Sequence, residues 1–146
     1  MTKVTQRNAT RNQSNADYEI KKIFIFDNRF VPGTFENVSG GAVTLEPGTL
    51  MLRSLVTADG FVPAIAGATL ANVVGISANE DAFELADAGL APINVATKGT
   101  VDGNLLTLPG GVTLDTVVGN KTVKDILEGI GFHIDTSAVE HTKFDN

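Results

Sequence analysis

From Val31 to Gly111 the chain is interrupted again and again by turn signals centred on Gly and Pro, with only short apolar runs between them. Glu46-Pro47-Gly48 offers Pro at the second turn position and Gly where a positive φ is needed, and Asp59-Gly60 and Asp102-Gly103 are hairpin dipeptides. Lys98-Gly99 and Pro109-Gly110-Gly111 close further runs. Val, Ile and Thr together supply 40 of 146 residues, and such side chains suit a pleated sheet better than a helix. The expectation is a mainly β body, a small irregular β-barrel or β-clip-like fold with one or two short helices.

The strand readings are Val43–Leu45, Thr49–Leu55, Phe61–Ile65, Asn72–Ser77, Ile93–Ala96, Thr100–Val101 and Asn104–Leu108. Asp27 to Gly41 reads as a connector, with Val31-Pro32-Gly33 and Ser39-Gly40-Gly41 as turns. One helix is expected where Thr122 can cap Val123–Glu128, because Val123, Ile126, Leu127 and Ile130 recur at helical spacing and Asp125 falls three residues after the cap. A second short helix is expected over Asn79–Ala88 through Ala82, Phe83 and Ala86.

Charge divides the chain unevenly. Residues 1–29 hold six Lys/Arg against three acidic residues, a net of +3, and the remainder holds five against fourteen, a net of −9. The expected organisation is an extended N-terminal arm over 1–29 and a single β-rich domain over 30–146. Residues 1–19 are polar and cannot offset their own ordering entropy, whereas Tyr18–Phe26 reads as a strand with two apolar faces. Such a strand must be covered twice, by its own body or by a partner.

An acidic body does not suit nucleic acid, whose affinity comes from neutralised phosphates. No apolar run reaches the roughly 20 residues that span a bilayer, and the N-terminus lacks the apolar core of a secretory signal. The expectations are therefore no nucleic acid, no membrane, and synthesis in the cytoplasm. With no Cys and only His133 and His141, thiolate and histidine chemistry are nearly excluded, and Glu80, Asp81, Glu84 and Asp87 lack the ligand order of a calcium loop. No serine sits in a nucleophile elbow and no phosphate-binding glycine loop occurs. The chain is read as a non-enzyme with no cofactor and no metal.

The succession Leu45-Glu46-Pro47-Gly48-Thr49-Leu50, Phe61-Val62-Pro63-Ala64, Val73-Val74-Gly75-Ile76, Pro92-Ile93-Asn94-Val95 and Lys98-Gly99-Thr100-Val101 resembles the head decoration proteins of tailed bacteriophages, the lambda-like capsid-stabilising family. Thr122–Phe132 is similar to the closing helix of longer relatives, so the resemblance covers roughly residues 42–134. It implies a β-rich virion protein on the outer capsid surface, a homotrimer (a dimer being the alternative) whose N-terminal arm adds to the major capsid protein. The arm here is longer than in the shortest members, and the closing helix is an addition to them. On this reading Val4, Arg7 and Arg11 dock on the capsid, and Ile20, Ile23 and Ile25 add as a strand. Alternatives are that the isoleucines fill the protein's own sheet, that the arm meets a sister subunit, or that the chain is a capsid fibre base or a receptor- or glycan-binding surface module.

Overall fold

Two strands of thirteen residues organise the fold. The computed structural model describes residues 23–65 and 68–136. β1 (Phe24–Glu36) lies antiparallel to β7 (Leu90–Asp102) from Phe24↔Val101 to Glu36↔Leu90. Three shorter strands close a circuit from one to the other: β3 (Leu50–Arg53), β4 (Gly60–Pro63) and β5 (Gly75–Ser77). The order β1-β4-β3-β5-β7, with β7 returning to β1, makes a ring-like sheet, and β10 (Phe132–Asp135) adds in parallel to the far end of β7. β2 (Val43–Leu45) and β6 (Phe83–Leu85) form a separate antiparallel pair, as do the two-residue strands β8 (Val117–Val118) and β9 (Lys121–Thr122). The protein is thus mainly β, as its turn signals imply.

Two apolar clusters fill the body. Phe35, Met51, Phe61 and Val95 pack with Leu45 beneath the β2–β6 pair, where the rings of Phe35 and Phe83 meet edge to face at 5.9 Å. Leu50, Ile76 and Val101 pack at the other end with Leu127, Phe132 and Ile134. There α1 (Val123–Gly129) turns Val123 and Leu127 inward, and its cap is the expected one: Thr122 Oγ1 accepts the Asp125 N–H at 3.1 Å. The β3–β4 hairpin also follows its signal, with Asp59 at φ +53°.

Four expectations are corrected. The connector over Asp27–Gly41 is strand as far as Glu36, so Val31-Pro32-Gly33 is no turn. Proline is tolerated on a strand edge that carries no ladder, and among the described residues the second edge of β1 pairs only at Thr34 and Phe35, with β4. Gly33 serves packing: a Cβ there would lie 2.3 Å from the Phe61 ring. The break expected at Lys98-Gly99 is absent because Gly99, at φ +121°, carries β7 through an irregularity opposite Asn28.

The helix expected over Asn79–Ala88 is replaced by β6. Phe83 and Leu85 are half-buried while Glu84 is exposed, a period of two. The buried Asn37 amide donates to Leu85 O at 2.9 Å and Ala86 O at 3.0 Å, so those carbonyls already have a donor outside any helix. Finally, the strand expected over Asn104–Leu108 begins instead as a 3-10 turn at Gly103–Leu105, where the Asn104 N–H donates to the Asp102 carboxylate (Oδ1, 2.9 Å).

Candidate interaction groove

The first half of β1 is irregular. Its register against β7 shifts between Phe24 and Phe26, between Phe26 and Arg29, and again between Arg29 and Phe30. Such bulges bend a strand and re-aim its side chains. Asp27 takes a left-handed backbone at φ +53°, and Asn28 Nδ2 donates to Thr100 O at 3.3 Å and Lys98 O at 3.4 Å. The aromatic residues part company as a result. Phe24 packs on the core and meets Phe30 edge to face at 5.3 Å, whereas Phe26 is 71% exposed and Phe30 47%.

Beside this stretch lies an open hollow of about 420 Å³. Phe24, Phe26 and Phe30 form one wall, Ala78, Asn79 and Glu80 the other, and Asn94 lies on β7 between them. A second hollow of about 390 Å³, bounded by Pro32 and Pro92, shares Ala78, Asn79, Glu80 and Asn94 with the first. Together they make one trough along the β1–β7 pair.

Its rim is acidic, with Asp27 on one side and the exposed Glu80 on the other, and exposed Asp81, Glu84 and Asp87 follow Glu80 in sequence. Lys98 approaches Asp27 at 3.9 Å, but both side chains are at least half exposed, and such a pair is worth about 0–1 kcal/mol. Asn79 Nδ2 donates to Leu45 O at 3.1 Å and Asp81 O at 2.8 Å, which fixes which end of the amide is which. Its Oδ1 is then a buried acceptor with no donor among the described residues, a state that costs roughly 1–3 kcal/mol.

The sequence-derived contact residues divide across this geometry. Ile23 is buried, packs near Gly48 and lines the inner side of the hollow, with its carbonyl accepting the Asp102 N–H at 2.8 Å. Ile25 is half-buried and lines the hollow. Val4, Arg7, Arg11 and Ile20 lie outside the described residues. Residues 24–29, assigned to the arm by their charge, form the start of β1. Of the wall residues, Phe26 falls in the strand read as having two apolar faces, whereas Phe30 and Asn79 carried no signal of their own. Without the bulges the alternation does not show which ring turns outward.

A second exposed apolar feature sits at the opposite end of β1. Leu55 and Val56, at the tip of the β3–β4 hairpin, are 99% and 83% exposed. The tip is nonetheless organised: the Glu36 carboxylate accepts the Ser54 hydroxyl at 2.6 Å and the Thr57 hydroxyl at 2.5 Å, and Ser54 Oγ accepts the Val56 and Thr57 N–H groups. Those hydroxyl donors hold the Glu36 pKa below its ordinary value, outweighing the opposing effect of burial.

Among the described residues no three His, Asp or Glu side chains converge as a metal site, and no helix is long and apolar enough to cross a membrane. The arrangement defines a β-rich body with a grooved face and a stretch of β1 edge that has no strand beside it among the described residues. No protein-family model matches the sequence, and no curated protein matches it.

Proposed function

We propose that the chain is a structural virion protein that binds the outer surface of an assembled phage capsid and reinforces it. The observation that carries this reading is the edge of β1 from Phe24 to Gly33, which has no strand beside it among the described residues and continues directly from a basic N-terminal segment. An open edge offers main-chain hydrogen bonds to a strand of the major capsid protein. Arg7 and Arg11, with Val4, supply charge and a small apolar contact ahead of it. Several copies, each weakly held, then bind a shell with an avidity that no single contact provides. The exposed tip residues Leu55 and Val56 are aliphatic, which suits a protein surface better than a sugar ring.

The test is co-sedimentation of the full chain with assembled shells of its cognate major capsid protein, followed by thermal disruption of the shells. Saturable binding and a higher disruption temperature are expected. The Arg7→Glu/Arg11→Glu variant should bind about tenfold or more weakly, with a shallower dependence on salt, since each lost basic contact removes screened attraction. A folded chain that stays in the supernatant at low salt refutes the reading.

A further inference from the structure

We propose that the hollow beside β1 seats this chain's own Tyr18–Lys22 segment, laid back along it from Ile23. The inference goes beyond the capsid reading, because it concerns how the basic segment is held on its own body. Position comes first. Ile23 and Phe24 line the hollow, so the residues ahead of Ile23 start at its wall. Ile23 also lies against Gly48, whose N–H donates to Ser77 O at 3.0 Å, and the next residue, Ala78, belongs to the facing wall with Asn79 and Glu80. Ile20 can travel at most about 11 Å from Ile23, and Tyr18 about 18 Å. Both spans suffice to bring a side chain from Ile23 to that facing wall.

Pattern and charge select the same residues. Tyr18 and Ile20 are the only large apolar side chains between Val4 and Ile23. In an extended segment they share one face with Lys22, opposite Glu19 and Lys21. With that face turned down onto Ile25 and Ala78, Lys21 is left outermost, where Asp27 and Glu80 form an acidic rim. Residues 1–22 carry five basic and two acidic side chains, while residues 23–136 carry five basic and thirteen acidic ones. The other terminal segment, residues 137–146, suits the rim poorly: it holds two acidic side chains against one lysine and follows Thr136, which does not line the hollow. A second copy is disfavoured by the tether, since a segment joined this closely to its site has an effective concentration of order mM there. Residues 1–17 leave from the far end of the contact, so Val4, Arg7 and Arg11 are still available to the capsid.

The chain has one tyrosine and no tryptophan, so its ultraviolet emission reports Tyr18 alone. In the unmodified full chain, acrylamide should quench that emission about threefold less than it quenches N-acetyltyrosinamide, because a ring packed on an apolar wall keeps only part of its surface open. Quenching equal to that of the free amide overturns the proposal.

The location is tested by cross-linking, which the absence of cysteine makes unambiguous. Ile20→Cys/Ala78→Cys is oxidised at about 1 µM, far below the effective concentration of a short tether. A disulfide closed within one chain is expected, forming about tenfold faster than in Glu19→Cys/Ala78→Cys or Lys21→Cys/Ala78→Cys, whose residues 19 and 21 face away. Circular dichroism confirms that each variant is folded. Thiols that stay free overturn the proposal, as do rates that change smoothly from position 19 to position 21, the mark of a tail colliding at random. A link that joins two chains instead of closing one also overturns it, in favour of a second copy. Because no shell enters either measurement, their failure is distinct from failure to bind a capsid.

Discussion

The two halves of β1 make opposite uses of one strand. From Val31 to Glu36 the register against β7 is unbroken, β4 joins the other edge at Thr34 and Phe35, and Phe35 is fully buried. From Phe24 to Phe30 the register slips three times, the second edge has no strand among the described residues, and Phe26 stands in solvent. A sheet that continued in the pattern of the second half would bury the first half too. The bulges interrupt that pattern, and the Phe26 and Phe30 rings are left exposed. One half buries its ring in the core, and the other leaves its rings exposed beside the hollow.

The sharpest way to break this contrast is a paired truncation. Phe35→Ala should cost about 3–5 kcal/mol, because it removes a fully buried ring at the centre of a cluster that cannot collapse freely. Phe26→Ala should stay within about 0.5 kcal/mol of wild type, as expected for an exposed side chain. Urea unfolding of both variants gives the comparison directly. Similar losses at the two positions would mean that the first half of β1 is held as firmly as the second.

A smaller effect is expected at Gly33. Alanine there places a Cβ against the Phe61 ring, and overpacking of that kind costs about 1–3 kcal/mol. The ring must shift, so the loss should be accompanied by weakened protection of the β1–β4 amides in hydrogen exchange. An unchanged midpoint would show that Phe61 moves without cost and that Gly33 has no packing role.

Gly33 also shows where sequence reading stops. A Val-Pro-Gly triplet carries the composition of a turn, and only the ring lying across it reveals a strand. The same holds at Gly99, whose conformational freedom reads as a break until Asn28 is seen opposite. Signals that act within a few residues, such as the Thr122 cap and the Asp59-Gly60 hairpin, were legible. Asn79–Ala88 was misread because its competing contacts come from Asn37, more than forty residues away. The candidate site suffered similarly. The excess of basic charge ahead of the body was plain, but the groove's walls come from β1, β7 and the segment after β5, which no local pattern joins.

Glu36 closes the sheathed half and gives the smallest and most local effect. Its pKa is lowered by the Ser54 and Thr57 hydroxyls, so the folded state favours the ionised carboxylate. The stability this brings is fully present above the ordinary value of 4.5 and is lost as pH falls through the lowered one. Glu36→Gln removes the titration. At neutral pH the variant should be less stable than wild type, with faster exchange of the Val56 and Thr57 amides that rest on Ser54 Oγ. The difference between the two proteins should shrink as pH drops below about 4.5, because the wild-type carboxylate then becomes neutral too. A difference that stays constant into acid would mean the hairpin tip is held by packing alone. In that event the order of Leu55 and Val56 would owe nothing to β1, and the contrast between its halves would end at Phe35.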